Sequence, residues 1–283
     1  MKKMKKLAAL LLAAALSVSV TACGGGASSQ PSEGSSAPAA SAGASSSAGV
    51  KTIEAGTITM STNAEFEPFE YRSGDKIVGI DVEIANKIAK KLGLTLKIND
   101  VAFDSLTMEL QTNKCDFVAA GMTVDEDRKK NVDFSEPYFD ASQAIIVPKG
   151  STIKSRTDLN GKTVGVQQGT TGDQYCTNEK GTSDVKVGTV KRYNKGADAI
   201  SDMISGRIDA VVIDNFPATK FVEKNSGKIQ KLSDAMTVEQ YAVAVHKGNA
   251  ALLEQINAVL KDMKSSGELD QIVNKYKSAL GGE

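Results

Sequence analysis

Residues 119–139, AAGMTVDEDRKKNVDFSEPYF, place one arginine, Arg128, between a run of acids and two lysines. Three acidic residues at 125–127 are followed directly by Arg128, Lys129 and Lys130. A guanidinium group binds a carboxylate through two parallel hydrogen bonds, the strongest planar match that a side chain offers to this anion. The spacing leaves two interpretations of Arg128 open: a surface arginine on an ordinary helix, or a group that binds the carboxylate of a ligand.

The acids of this segment have a structural explanation that Arg128 lacks. Thr123 and Glu126 have the spacing of a capping box, and the neighbouring acids suit the positive N-terminus of a helix. Lys129 and Lys130 already supply positive charge near the C-terminus of the same helix. The formation of this helix therefore does not require Arg128.

The segments that precede Arg128 have alternating strand and helix patterns. Residues 57–61 alternate apolar and polar side chains, as a half-buried strand does. Residues 80–93, IDVEIANKIAKKLG, have apolar side chains four positions apart, and Gly93 supplies the C-terminal stop of a helix. The run CDFVAAG at 115–121 is apolar on both faces, which is typical of a central parallel strand.

The second half of the chain has the same alternation of strand and helix patterns. Residues 163–166, 185–190 and 209–214 have strand patterns, and Asn194 stands where it can cap the helix that follows it. A further strand is predicted at 241–245, before two amphipathic helices that close the chain. Strands that alternate with helices twice over predict an α/β protein of two lobes, each a mainly parallel sheet flanked by helices.

Four of the predicted strands end in polar or aromatic residues. In open α/β sheets, ligands bind beyond the carboxyl ends of strands and against helix N-termini. The runs that follow these four strands are NAEFEPFEY at 63–71, GMT at 121–123, QQGTTG at 167–172 and DN at 214–215.

Together with the helix and arginine segments described above, these runs resemble the polar amino-acid members of the bacterial extracellular solute-binding protein family 3, the binding lipoproteins of ATP-driven importers. The resemblance extends over nearly the whole chain after about residue 51. It implies a type II periplasmic-binding-protein-like fold, in which two lobes joined by two hinge crossovers close over a free amino acid. Lobe 1 would comprise 51–141 plus 236–283, and lobe 2 would comprise 142–235.

The resemblance also implies how an amino acid is held, whose two charges are costly to bury unless each is matched. Arg128 follows Gly121 and Thr123 at the position where the family has the arginine that binds the ligand carboxylate. The turn at Thr170 and Thr171 adds a helix N-terminus, which favours anions.

Other groups suit the ammonium group and the side chain of such a ligand. Asp214 offers a carboxylate to the ammonium group, and the Gly121 carbonyl and the Thr123 hydroxyl offer further acceptors. Phe66 and Phe103 can sandwich the ligand side chain and exclude water. Without the family pattern, Asp214 would be read as a solvated acid at a strand end, and the two phenylalanines as core residues.

Asn63 would face the distal end of the ligand. Family members that bind arginine, lysine or histidine tend to have an acid at this position, so the neutral amide predicts a polar uncharged ligand, glutamine first. Gln167, just before the anion-binding turn, would tune this preference. Arginine is the second candidate, because Glu65 or Glu70 can reach a basic side chain.

The first fifty residues differ in composition from the rest. Four lysines within the first six positions precede an apolar run, and Val-Thr-Ala-Cys at 20–23 resembles the lipobox of bacterial lipoproteins. This predicts a signal peptide over 1–22 and a lipid such as palmitate on Cys23; the alternative is a plain signal peptide with an incidental cysteine. Residues 23–50, rich in Gly, Ser, Ala and Pro, predict a flexible tether. We therefore expect lipid anchoring on the extracytoplasmic face of the cell membrane.

Charge and cysteine content argue against several other classes. The chain has 34 basic and 34 acidic residues, and without the four leader lysines its net charge is about −4, which argues against a nucleic-acid partner. Cys115 and Cys176 are far apart in the sequence, and we expect two separate buried thiols. The single His246 has no partner motif, so no metal site is predicted. No cofactor is expected.

A dehydratase that acts on a cyclic carboxylic acid in the same cleft is the alternative from another class. Such an enzyme would keep the arginine and add a general acid, and nothing in the sequence marks one. We therefore expect a monomeric binding protein rather than an enzyme. Its partners would be a small-molecule amino acid, an ABC permease with its ATPase, and the membrane through the lipid on Cys23.

Overall fold

The structure of the protein is a computed structural model that describes residues 49–179, 181, 183–233 and 236–278. The predicted signal peptide 1–22, the lipidation site Cys23 and the tether up to residue 48 lie outside the described residues. Among the residues that are described, no helix has both the length and the apolar character needed to cross a membrane.

The strands and helices alternate along the chain. In chain order, the strands are β1 Thr57–Thr62, β2 Glu65–Phe66, β3 Glu70–Ser73, β4 Lys76–Val78, β5 Thr95–Asp100, β6 Phe117–Val118, β7 Val132–Phe134, β8 Phe139–Ala141, β9 Gln143–Pro148, β10 Thr163–Gln167, β11 Thr189–Tyr193, β12 Ala210–Asp214, β13 Ile229–Lys231, β14 Glu239–Tyr241 and β15 Ala244–His246. The α-helices are α1 Ile80–Leu92, α2 Leu106–Gln111, α3 Glu126–Asn131, α4 Thr171–Thr177, α5 Gly196–Ile204, α6 Asn215–Lys224, α7 Ala250–Ser265 and α8 Glu268–Ser278. Two short 3₁₀ helices cover Phe103–Ser105 and Arg156–Leu159.

Two five-stranded sheets have the same arrangement. The first has the order β5-β1-β6-β15-β7, and the second has the order β11-β10-β12-β9-β13. In the first sheet β5, β1 and β6 are parallel, and β15 runs antiparallel to both of its neighbours. In the second sheet β11, β10 and β12 are parallel, and β9 is the strand that runs antiparallel to its neighbours. Each sheet therefore has one reversed strand in an otherwise parallel order, which matches the predicted two-lobed α/β class.

The two sheets are connected by a narrow two-stranded ribbon. The chain leaves the first sheet through β8 and returns to it through β14, and these two strands pair antiparallel with Phe139 opposite Tyr241. Such a pair of crossovers between two sheets is the arrangement expected of a hinge.

Helix α1 illustrates how the sequence pattern positions the first sheet. Its apolar residues at Ile80, Ile84 and Ile88 are all buried, and Gly93 ends the helix in the left-handed conformation that glycine adopts without strain. The buried stripe packs with α7 and α8 against the sheet. The predicted helix and its stop are therefore confirmed.

Several local predictions differ from the structure in the bounds of a strand or in the residue that caps a helix. The strand expected at 185–190 is β11, which begins at Thr189. Helix α5 starts after Lys195, and no side chain caps it, so Asn194 is not its cap. The strand expected at 241–245 is divided between the hinge ribbon and the first sheet, because the chain crosses between them there.

The capping box expected at Thr123 and Glu126 does not form. Helix α3 is capped by Asp125, whose carboxylate accepts the backbone N–H groups of Asp127 and Arg128. The acid next to the helix start outcompetes the hydroxyl, because a carboxylate accepts two N–H groups at once. The hydroxyl of Thr123 consequently takes part in a different contact, described below.

Candidate ligand-binding site

One small pocket lies where the carboxyl ends of strands from both sheets face each other. It contains all ten residues that the sequence analysis selected, together with one further acid. The lining residues are Asn63, Phe66, Glu70, Phe103, Gly121, Thr123, Arg128, Gln167, Thr170, Thr171 and Asp214.

The fold explains why residues so distant in sequence meet here. Asn63 follows the end of β1, and Gly121 and Thr123 follow the end of β6, which is the neighbour of β1. On the other side, Gln167 ends β10 and Asp214 ends β12, and these strands are also neighbours. Parallel strands bring their carboxyl ends to one edge, so each sheet offers one such edge to the pocket.

Arg128 is buried rather than on the surface, with 8% of its side chain exposed. Its Nη1 donates to the carbonyl of Thr123 at 2.6 Å, its Nη2 to the carbonyl of Gly169 at 3.0 Å, and its Nε lies 3.2 Å from Asp125 Oδ2. The guanidinium carbon lies 5.4 Å from the centre of the Phe103 ring. Burial lowers the pKa of Arg128, while the nearby carboxylates of Asp125 and others oppose that shift. The guanidinium is thus in direct contact with two neutral carbonyls and one carboxylate, that of Asp125.

Asp214 is a buried lining residue at the end of β12, in the second sheet. The Tyr241 hydroxyl donates to its Oδ1 at 2.5 Å. Burial raises the pKa of Asp214 to about 7, with repulsion from Glu239 adding to the rise and the Tyr241 hydrogen bond opposing it. A positively charged ligand group next to Asp214 would relieve both the desolvation and the repulsion.

Glu239, in the hinge strand β14, is a site residue that the sequence analysis missed. Its Oε2 accepts hydrogen bonds from the hydroxyls of Thr123 at 2.6 Å and Thr171 at 2.8 Å. These two hydroxyls come from opposite sides of the cleft, so one carboxylate joins both sides and the hinge. No local pattern around Glu239 marks this role, because its partner Thr123 is 116 positions away in the sequence.

Two aromatic residues, Phe66 and Phe103, line the pocket. Phe66 is buried, and its ring lies 5.9 Å from that of Phe69 and 6.5 Å from that of Tyr241. Gly121 has a φ of 52°, and a Cβ there would lie 2.7 Å from the Phe66 ring. The glycine therefore allows the backbone turn and the close approach of the ring. Phe103 is half-buried and faces the guanidinium of Arg128.

The amide groups of Asn63 and Gln167 already bind each other. Gln167 Nε2 donates to Asn63 Oδ1 at 2.9 Å and to the carbonyl of Asn194 at 3.1 Å, while Asn63 Nδ2 donates to the carbonyl of Val101 at 2.8 Å. In this arrangement the acceptor of Asn63 is engaged by protein. The pairing weakens the argument that Asn63 selects a ligand amide, since an amide ligand would have to compete for that oxygen.

Two backbone N–H groups of the turn before α4, which the sequence predicts as an anion-binding site, already have acceptors within the protein. The N–H of Gly169 donates to Asp173 Oδ2 at 3.1 Å, and the N–H of Thr170 lies 3.4 Å from the carbonyl of Gln167. Thr170 caps α4 by accepting the N–H of Asp173. The first helical residue, Thr171, instead faces the pocket with a hydroxyl held by Glu239.

The two acids considered for a basic side chain are in different environments. Glu65 forms an ion pair with Lys195 at the rim and is not among the lining residues. Glu70 is completely buried and lines the pocket. No donor among the described residues reaches either of its carboxyl oxygens. Glu70 is therefore the acid that the pocket offers to a cationic group.

The remaining candidates lie outside this pocket. Cys115 and Cys176 are separate, buried free thiols, as expected. His246 ends β15, away from the pocket. Within the described residues, no group of three or more His, Cys, Asp and Glu side chains is arranged to hold a metal ion.

A model of bacterial extracellular solute-binding proteins, family 3, matches residues 58–279. The chain is similar to the arginine-binding extracellular protein ArtP of Bacillus subtilis (strain 168), with 34% identity over 96% of this chain and 98% of that protein.

Solved structures with a similar fold include an ancestral arginine-binding protein in two forms. Its arginine-bound form is 43% identical, covers 78% of this chain and 98% of that chain, and has a TM-score of 0.72. Its glutamine-bound form is 42% identical, covers 78% and 97%, and has the same TM-score. The substrate-binding protein of an amino-acid ABC transporter is 40% identical, covers 78% and 99%, and also has a TM-score of 0.72.

These similarities confirm two predictions from the sequence. The fold is a two-lobed, type II periplasmic-binding-protein-like fold. The similar proteins are solute-binding proteins of transporters, which supports the prediction of a binding protein and not that of a cleft dehydratase.

Proposed function

Because this chain belongs to the bacterial extracellular solute-binding proteins of family 3, we propose that it captures a polar L-amino acid, arginine foremost, for an ATP-driven importer. The observation that carries the proposal is the set of charges in the pocket. One buried guanidinium, Arg128, faces two buried carboxyl groups, Asp214 and Glu70, across a space lined by aromatic rings.

Each charge has a partner in the ligand. Arg128 binds the ligand carboxylate, since a guanidinium gives a carboxylate two parallel hydrogen bonds. Asp214 binds the ammonium group, and the Thr123 hydroxyl with the Gly121 carbonyl completes its surroundings. The backbone of any free amino acid uses these groups, so they give affinity without selecting a side chain.

Glu70 is the charge that remains once the ligand backbone is bound. A buried carboxyl group without a donor is costly, and a guanidinium or ammonium group at the end of the ligand would match it. This favours arginine over glutamine and reverses the order that Asn63 alone suggests. Glutamine remains the second candidate, and the two ligands of the ancestral relative support keeping both.

Capture depends on the two lobes closing around the ligand. We propose lobe 1 over 51–141 plus 236–283 and lobe 2 over 142–235, hinged at the ribbon of β8 and β14. Arg128 and Asp214 come from opposite lobes, so a ligand that binds both stabilises the closed form by differential contact. The closed form then docks, as a monomer, on a permease that a separate ATPase drives.

The predicted signal peptide and tether suggest where in the cell the protein binds its ligand. Lipid on Cys23 and the tether 23–50 would hold the folded part on the extracytoplasmic face of the cell membrane. The matched family is extracellular, which is consistent with this arrangement.

Thermal unfolding of a lipid-free form that begins at Gly24 tests the proposal. The protein is first unfolded and refolded to remove any bound ligand, and then mixed with each common L-amino acid, with sugars and with a cyclic dicarboxylic acid. A ligand present at about a thousandfold its Kd stabilises the fold by roughly 4 kcal/mol, which shifts the midpoint by several degrees. We expect the largest shift with arginine; no shift with any amino acid would contradict the proposal.

A further inference from the structure

Two buried carboxyl groups, Glu70 and Asp81, form a pair at the base of the pocket. Neither residue has any exposed side-chain surface. The backbone N–H of Asp81 donates to the carbonyl of Phe69, the residue before Glu70, at 2.9 Å, which brings the two buried residues side by side. Asp81 Oδ2 accepts the N–H of Gly121 at 2.7 Å and the hydroxyl of Tyr138 at 2.7 Å. Asp81 Oδ1 and both oxygens of Glu70 receive no hydrogen bond from the described residues.

The missing donor can come from the pair itself. Two carboxylates cannot both stay ionised side by side in a buried site, and one proton between them supplies an O–H donor to an oxygen that otherwise lacks one. The two hydrogen bonds already made to Asp81 stabilise its ionised form. Glu70 therefore carries the proton, and Asp81 accepts it.

The surroundings of Glu70 are acidic from nearly every side. The titratable and charged groups that face it or the pocket beside it are Asp81 from α1, Asp100 at the end of β5 with its ion-pair partner Arg72, Arg128 from α3, Tyr138 before β8, Asp214 at the end of β12, and Glu239 and Tyr241 from β14. Arg128 is the only cation among the lining residues, and its donors point to Thr123, Gly169 and Asp125.

The titration of the pair agrees with this geometry. Burial raises the pKa of Glu70 well above its ordinary value, and the charge of Asp81 raises it further. Burial also raises the pKa of Asp81, to about 6, while the hydrogen bonds from Gly121 and Tyr138 oppose that rise.

We propose that Glu70 and Asp81 share one proton in the unliganded protein, and that a cationic ligand side chain displaces this proton when it binds. The inference rests on the proposed function. In the step, the O–H bond of Glu70 breaks, the proton passes to a buffer base, and the resulting carboxylate pairs with the ligand cation. The pocket then selects a cationic side chain by proton exchange, and this selection strengthens as the pH rises.

Arginine and citrulline form a matched ligand pair for the test. Citrulline has the same length and shape, but its ureido group is uncharged. Both ligands present the same ammonium group to Asp214, so any proton that Asp214 releases is common to them. The difference in protons released between the two ligands therefore reports Glu70 and Asp81 alone.

The protons are counted by titration calorimetry near neutral pH in two buffers of different ionisation enthalpy, using the lipid-free protein. We expect arginine to release up to about one proton more than citrulline, and Glu70→Gln to abolish that difference. Glu109→Gln is the control, because Glu109 is also a buried carboxylate of the first lobe but pairs with Lys114 and does not line the pocket.

A second measurement needs no variant. The ratio of the arginine affinity to the citrulline affinity should rise with pH, by up to about tenfold per unit while the pair still holds its proton. Equal proton release by the two ligands, or an extra proton that persists in Glu70→Gln, would overturn the inference. Failure of the parent protein to bind any amino acid would instead refute the proposed function, so the two failures are distinguishable.

Discussion

The guanidinium of Arg128 bridges the cleft, donating from Nη2 to the backbone carbonyl of Gly169 at 3.0 Å. Arg128 belongs to α3, next to the first sheet, while Gly169 belongs to the turn before α4, next to the second sheet. A Cβ on Gly169 would lie 3.0 Å from that of Asp104, so the two sides also meet closely at this glycine. The arginine proposed to bind the ligand thus also joins the two sides of the cleft.

Arg128→Ala should abolish tight amino-acid binding. The variant removes the partner of the buried ligand carboxylate, which costs on the order of 3 to 5 kcal/mol, or at least a hundredfold in Kd. Calorimetric Kd values for arginine in the parent and the variant measure this loss. Arg207→Ala is the control, because Arg207 is an exposed arginine that pairs with Asp202 outside the pocket. Unchanged affinity in Arg128→Ala would show that another group binds the carboxylate.

Gly121→Ala should weaken both stability and binding. Alanine at a φ of 52° costs roughly 1 to 2 kcal/mol, and its Cβ would also displace the Phe66 ring from the pocket. Gly206→Ala is the matched control, since Gly206 has a φ of 72° but no atom within 4 Å of the added Cβ. Urea unfolding and Kd are measured for both. We expect both variants to lose stability, Gly121→Ala more than the control because of the overlap with Phe66, and a loss of affinity in Gly121→Ala alone. Equal affinities would exclude a role for the Phe66 position.

Much of the site could be predicted from the sequence because strand ends converge. Strands β1 and β6 are neighbours in the first sheet, and β10 and β12 are neighbours in the second, so the residues that follow each pair lie at one edge of their sheet. The strand patterns of these segments are recognisable in the sequence. The position of Glu70 in the pocket is harder to predict from the sequence. It depends on the pairing of β2 with β3, in which Glu70 lies opposite Phe66. A two-residue strand such as β2 leaves no periodicity from which to predict that pairing.

Other features depend on contacts between distant segments. The cap of α3 was misassigned because spacing favours Thr123, whereas in the structure Asp125 caps the helix and the Thr123 hydroxyl binds Glu239. Glu239 itself arrives through the hinge crossover. Local sequence cannot reveal such a partner, because its position follows from the tertiary arrangement of both sheets.

Amino-acid affinity should decrease as the salt concentration rises, because ion pairs close one rim of the cleft. Lys224 Nζ lies 2.5 Å from Glu67 Oε2, and Lys195 forms an ion pair with Glu65. In both pairs the acid belongs to the proposed lobe 1 and the lysine to the proposed lobe 2. Partly exposed pairs contribute about 0.2 to 1 kcal/mol each and are screened by salt. These pairs therefore favour the closed form that binds the ligand.

The pairs are tested by neutralising both lysines. Lys195→Gln with Lys224→Gln should weaken arginine binding a few-fold and reduce its dependence on salt between about 50 mM and 500 mM. Lys91→Gln is the control, because Lys91 pairs with Asp262 at 3.4 Å on the exposed surface of one lobe. If the double variant kept the salt dependence of the parent, the rim pairs would have no part in closure.

The unliganded protein should lose stability as the pH rises from about 4 to 7, in part because of Asp214. Its pKa is about 7 in the fold against an ordinary value of 3.8, so the folded state holds a proton that the unfolded state releases. The stability from this proton is complete below pH 4 and is lost as the pH rises through 7, at about 1.4 kcal/mol per pKa unit.

Asp214→Asn should flatten the decline in unfolding free energy, measured by urea titration at several pH values, whereas the exposed control Asp198→Asn should not. Saturating arginine should also flatten the decline in unfolding free energy of the parent protein, since an ammonium group beside Asp214 lowers the pKa of that carboxyl group. If the unfolding free energy declined in parallel in the parent and in Asp214→Asn, Asp214 would not be the cause of the decline.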